Sequence, residues 1–159
     1  MKKFIFYLIQ FTWALPQNLI GLLVYLCLYK KCTHERFHNS FISYVNNDNF
    51  GGISIGIFIF MNPKRDKKRI HDTKIHEYGH TIQSLFLGPV WVLIIAIPSV
   101  IWCNLKYFRE LREQKNISYY TLYCEGWANI WGRYFSKEDF ISEDFLLHAN
   151  YGKPIKPIF

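Results

Sequence analysis

Asp72-Thr-Lys-Ile-His-Glu-Tyr-Gly-His-Thr81, DTKIHEYGHT, is the stretch whose reading decides both fold and chemistry. Residues i and i+4 of a helix share a face, so His76 and His80 can offer imidazole nitrogens to one metal ion. Glu77 then sits where a carboxylate can take a proton from a water on that ion, as in the H-E-x-x-H pattern of zinc hydrolases. The competing reading is an ordinary amphipathic helix whose two histidines are satisfied within a core. Asp72 or Thr73 serves as N-cap, and the helix is expected over 73–87, ending at Gly88-Pro89.

A catalytic zinc takes three protein ligands and keeps one position open for water. The candidates for the third are His71, His148, Glu110, Glu113, Glu125, Glu138 and Glu143. Glu125 is favoured because it is the one carboxylate in an apolar, aromatic segment, Tyr123-Cys-Glu-Gly-Trp-Ala-Asn129. A buried ionised carboxylate is costly unless it is paired or on a metal. One helical turn on, Asn129 can orient a liganding histidine from behind. The plainer reading of Glu125 is an interfacial residue paired with Arg133.

These motifs resemble those of known proteins. HEYGHTIQSLFLGPVW…IPSVIW is similar to a group of small bacterial membrane proteins with a zincin-type H-E-x-x-H, and E-G-W-A-N is similar to their downstream glutamate helix. More broadly the pair resembles the gluzincin metallopeptidases, whose second motif is E-x-x-x-D. The resemblance implies His76, His80 and Glu125 as zinc ligands and Glu77 as general base, with Asn129 standing where the family has aspartate. An amide there can still orient a histidine but brings no charge.

Outward from the motif, the chain is 159 residues long, one domain's worth. It is 50% hydrophobic and 19% aromatic, with a net charge of +7. Segments 4–28 and 85–103 contain no Asp, Glu, Lys or Arg, so the charge is confined to the polar remainder. Beside apolar stretches of membrane length, this basic excess points to lipid headgroups as partner and away from nucleic acid. Four cysteines without C-x-x-C spacing read as reduced thiols. The basic start and apolar run resemble a signal peptide, but the run is too long and lacks a small-residue cleavage site, so it reads as a retained anchor.

Along the chain, 4–29 reads as an apolar membrane segment interrupted by Leu15-Pro16-Gln17-Asn18, either a kinked span or a re-entrant pair of half-helices. Segment 41–60 reads as a β-hairpin, 62–74 as a basic loop, 88–103 as a second apolar membrane segment, and 117–135 as the glutamate helix. The tail over 153–157 reads as extended. The expected fold is a mainly α membrane protein with a small β-hairpin, forming one membrane-embedded domain over 1–159, placed in the bacterial cytoplasmic membrane.

Length arithmetic adds a condition. A straight helix from His80 to Leu105 would run about 37 Å at 1.5 Å per residue, whereas Glu125 could climb back only about 14 Å from Asn116. Glu125 can meet the histidines only if the chain breaks, and Gly88-Pro89 and Pro98-Ser99 are the available breaks. The expected activity is zinc-dependent peptide hydrolysis, with Tyr120 or Tyr123 as candidate oxyanion donor and strand 51–60 pairing with an extended substrate. The alternative is a non-catalytic protein with a structural or partner-binding zinc site.

Overall fold

The computed structural model describes residues 3–47 and 51–149, the side chains of 147–149 excepted. The elements in chain order are α1 (Lys3–Gln10), α2 (Leu15–Leu28), β1 (Thr33–Phe37), β2 (Ser40–Tyr44), β3 (Gly52–Ile55), β4 (Phe58–Met61), α3 (Lys67–Leu87), α4 (Ile97–Asn104), α5 (Lys106–Lys115), α6 (Tyr123–Ser136) and α7 (Glu143–Ala149). A short 3-10 turn (Gly88–Val90) and a π-helical turn (Val92–Ala96) join α3 to α4. The expected extended tail lies outside the described residues.

The strands form one four-stranded mixed sheet in the order β1-β2-β4-β3. β2 runs parallel to β4, and the two flanking pairs are antiparallel. β4 is central, and all four of its residues, Phe58-Ile-Phe-Met61, are buried, as a strand covered on both faces requires. This overturns the expectation of a mainly α membrane protein with a small β-hairpin. The fold is mixed α/β, and no single helix among the described residues is long and apolar enough to cross a membrane.

The missing strand was hidden by its charges. Thr33-His-Glu-Arg-Phe37 reads as polar linker, but it is an edge strand whose alternating charged residues find partners on opposite faces of the sheet. Glu35 pairs with Lys74 at 2.5 Å, and the Arg36 guanidinium lies 4.7 Å from the centre of the Phe41 ring. Within the expected hairpin region, only β3 and β4 are hairpin partners; β2 joins through its parallel pairing with β4.

Each apolar segment is a pair of helices set at a steep angle. α1 and α2 meet at 94°, and the chain turns by 120° between α3 with its 3-10 turn and the segment Val92–Asn104. At the second bend Gly88 has φ +54°, a left-handed conformation that glycine adopts without strain. The α-helix resumes at Ile97, with Pro98 in its first turn, where a missing N–H costs no helical bond.

The mid-segment amides tie the N-terminal pair to the rest of the molecule. The Ile57 N–H donates to Asn18 Oδ1 at 2.9 Å, and Asn18 Nδ2 donates to Gln10 Oε1 at 2.7 Å and Ala14 O at 2.8 Å. Gln10 Nε2 donates to Thr81 O, and Gln17 Nε2 to Gly88 O and Ser84 Oγ. All three amide side chains are buried, and protein groups take up the polar atoms that hydrocarbon would leave stranded, Gln17 Oε1 excepted.

α3 lies at the centre, with the sheet and the N-terminal pair around it and α6 packed along it. It starts at Lys67, capped by the Asp66 carboxylate accepting from the Arg69 N–H at 3.0 Å, six residues before the expected start. Asp72 is not the cap; it is buried within the helix and accepts from the N–H groups of Ile141 and Ser142 at 2.8 and 2.9 Å. The 62–74 segment expected as loop is therefore largely the first two turns of α3.

Candidate metal centre

α3 and α6 approach so closely that a Cβ on Gly79 would stand 1.9 Å from Ala128 O, and one on Gly132 would stand 2.1 Å from Ile75 O. This contact sets the site, since α3 carries His76, Glu77 and His80 while α6 carries Glu125 and Asn129. Glu125 Oε2 lies 3.1 Å from His76 Nε2 and 3.3 Å from His80 Nε2. One donor atom from each of the three residues falls within 4.8 Å of the others, and all three residues are buried. Among the described residues this His-His-Glu cluster could hold a metal ion.

Both imidazoles are fixed from behind. His76 Nδ1 is 2.6 Å from Asn129 Oδ1, and His80 Nδ1 is 2.7 Å from Gln83 Oε1. An amide oxygen can only accept, so each Nδ1–H donates to its amide and each ring turns its Nε2 to the cluster. Gln83 in turn donates through Nε2 to Cys124 O at 2.8 Å, and Asn129 through Nδ2 to Phe145 O at 3.3 Å. A carbonyl oxygen only accepts, so each must face the NH2 end of its amide, which orients both amides.

Glu77 occupies the other side of the ring pair, against β3. A Cβ on Gly52 would meet Glu77 Oε1 at 2.7 Å, so the carboxylate fills the space a larger residue would take. The backbone N–H of Ser54 donates to the carboxylate, while Oε2 is buried with no hydrogen-bond partner. Burial pushes the Glu77 pKa up against the opposing pull of His76 and His80. For Glu125 the balance is reversed. Burial raises its pKa, but His80 and His76 outweigh that and hold it well below the usual carboxylate range. Burial would lower His80, yet the adjacent Glu125 carboxylate lifts it from 6.5 to about 9 when no metal is bound.

The cluster opens into a cavity of about 460 Å³, a volume typical of small-ligand sites. One wall is β3, an edge strand of the sheet; another is the segment from Trp91 to Cys103; Gln17 and Ile20 of α2, Arg65, Arg69 and Tyr120 also line it.

The remaining candidates lie elsewhere. His71 Nε2 is 3.1 Å from Asp139 O, and Glu138 lies between His38 and His71. Glu110 pairs with Lys106 on α5, which also carries Glu113, and Glu143 begins α7. The His148 side chain is outside the described set. Arg133 pairs with Asp139 rather than Glu125. Of the two tyrosines, Tyr120 lines the cavity with its ring centre 5.3 Å from that of His76. Tyr123 instead donates its hydroxyl to Ile94 O. Sequence reasoning missed Gln83, although an amide three residues after His80 on a helix is within reach of its ring.

No family model, curated protein or solved structure matches the chain. The functional reading therefore rests on the site's own chemistry.

Proposed function

We propose that this chain is a zinc-dependent hydrolase, most consistent with a peptidase. The observation that carries the reading is a buried His76–His80–Glu125 cluster, opening on a cavity, with the partnerless Glu77 Oε2 beside it. The donor set fits zinc. With ligand bonds of about 2.0–2.2 Å, tetrahedral geometry places neighbouring donors roughly 3.3–3.6 Å apart. The two His–Glu separations, 3.1 and 3.3 Å, are close to that edge length.

When bound, zinc would lower the pKa of water and polarise a substrate carbonyl. The protein's own groups supply the rest. Glu77 Oε2 takes the proton of the attacking water and delivers it to the departing amine nitrogen, as one C–O bond forms and the C–N bond breaks. Burial raises its pKa, the direction that suits a group that must release a proton as well as accept one. Burial likewise keeps the Tyr120 hydroxyl protonated, as a donor to the developing oxyanion requires. β3 offers an extended substrate the edge of a sheet beside the cluster.

The alternative, a closed structural site, needs a fourth protein ligand. His71 is committed elsewhere, and the Cys124 thiol is turned to Glu125 Oε1 at 3.9 Å. The experiment that separates the readings is cleavage of a mixed peptide library by zinc-supplied wild type and Glu77→Gln. Hydrolysis by wild type alone, with equal zinc in both, is expected; equal products from both would overturn the general-base role.

The reading keeps membrane lipid as a partner. The bent segments expose Phe4, Leu8, Trp13, Leu23, Leu93 and Val100, and the chain's net charge of +7 favours anionic headgroups. Flotation with phosphatidylglycerol vesicles is the expected behaviour; failure to float with any vesicle would remove lipid from the account.

A further inference from the structure

Four buried side-chain polar atoms among the described residues have no hydrogen-bond partner: Glu77 Oε2, Ser54 Oγ, Gln17 Oε1 and Trp91 Nε1. All four residues line the same cavity. Buried polar atoms are rarely left unsatisfied, because burial strips them of water, and four around one cavity point to a ligand. Glu77 is assigned to the chemistry above. Gln17 and Trp91 come from segments with no part in the metal cluster.

The two are neighbours through one carbonyl. Gln17 Nε2 and the backbone N–H of Trp91 both donate to Gly88 O. An amide oxygen in the place of Nε2 would face Gly88 O, another acceptor, at 2.8 Å, so the orientation of the Gln17 amide is fixed and its Oε1 remains an acceptor. Trp91 Nε1–H can only donate. Gln17 is 1% exposed and Trp91 6%. The wall around them is apolar: Ile20, Val92, Ile95, Ala96 and Val100.

We propose that Gln17 and Trp91 clamp one backbone peptide unit of an apolar substrate segment. A peptide unit presents one N–H and one C=O, the complements of the acceptor and the donor left open here. Its flanking side chains meet an aliphatic wall, so the substrate class is an extended peptide rich in leucine, valine or phenylalanine. This deepens the peptidase reading and rests on it, since that reading supplies the zinc and Glu77 beside which the segment lies.

The test is binding, measured by fluorescence anisotropy on full-length, zinc-supplied Glu77→Gln protein. The probe is a fluorescein-labelled hexapeptide of alanine, leucine and phenylalanine; the comparison is a serine–glycine peptide of equal length. Trp91→Phe removes the indole N–H and no hydrogen bond within the protein, so stability and zinc content are expected to hold. Its affinity for the apolar peptide should fall about five- to tenfold, the effect of one neutral hydrogen bond. Replacing successive amides of the peptide by esters, which removes one N–H at a time, should reveal one position with a loss of similar size.

The clamp is overturned if Trp91→Phe binds as tightly as its parent, if no ester position stands out, or if the serine–glycine peptide binds equally well. Preference for an N-acyl amide lipid over the peptide also overturns it. Failure of the underlying reading is distinguishable: wild type would then cleave nothing while the binding losses persist. Cleavage by wild type with no Trp91→Phe effect defeats the clamp alone.

Discussion

Gly79→Ala puts the whole arrangement under one methyl group. In an exposed helix the change would stabilise by about 1 kcal/mol, because alanine has the higher helix propensity. Here the new Cβ would lie 1.9 Å from Ala128 O, 2.6 Å from Ala128 C and 2.8 Å from its Cα, and real Cβ atoms essentially never come within 3.0 Å of such neighbours. All three atoms are backbone, so no rotamer change relieves the clash, and α3 and α6 must part by roughly 1 Å. Overpacking of this kind costs about 1–3 kcal/mol, with the rigid backbone favouring the upper end, which leaves a net loss of about 2 kcal/mol. The helices that part are the ones carrying the ligands, so the His76–Glu125 and His80–Glu125 separations of 3.1 and 3.3 Å would widen toward 4 Å. Zinc affinity should fall at least about tenfold, as it does when ligand placement is disturbed. Urea unfolding and a chelator competition measure the two effects, with Gly51→Ala, whose Cβ would meet nothing within 4 Å, as the stability control. A Gly79→Ala protein as stable as wild type, with unchanged zinc affinity, would refute the close-approach argument.

Three further outcomes follow from the same geometry. Asn129→Ala and Gln83→Ala each remove the acceptor behind one liganding imidazole. Each should weaken zinc binding by about 10- to 100-fold in an equilibrium titration; unchanged binding in both would mean that the amides do not orient the rings. Asn18→Leu strands the Ile57 N–H, so a loss of about 1–3 kcal/mol is expected in denaturant unfolding, and no loss would deny the N-terminal pair its structural role. In the metal-free chain His80 is raised to about 9, so its pairing stabilises fully below pH 6.5 and is lost as pH rises through about 9. Over that window zinc must displace the His80 proton, so its affinity should rise about tenfold per pH unit. A zinc affinity independent of pH from 6.5 to 9 would contradict this.

The site was far more legible than the fold. H-E-x-x-H marks its own helix through i,i+4 spacing, and Glu125 stood out as a lone carboxylate among apolar residues. The length arithmetic correctly required a break after His80, and the chain turns at Gly88. β1 was illegible because an edge strand is only partly covered and can carry Glu35 on one face and Arg36 on the other, which erases the apolar signal. The start of α3 was illegible because it opens on the basic Lys67-Lys68-Arg69, with both lysines exposed, a stretch that carries no apolar periodicity. The amides of the N-terminal segment could be read as needing partners, but those partners, at Ile57, Thr81 and Gly88, lie some forty to seventy residues away. No local pattern records such distances.

The measurement that bears most directly on the His76–His80–Glu125 centre is zinc stoichiometry of the purified full-length chain, wild type beside Glu125→Ala and Glu77→Gln. One zinc per chain is expected in wild type and in Glu77→Gln, with loss of zinc in Glu125→Ala. Full retention of zinc by Glu125→Ala, or a wild type that takes up none, would contradict the centre.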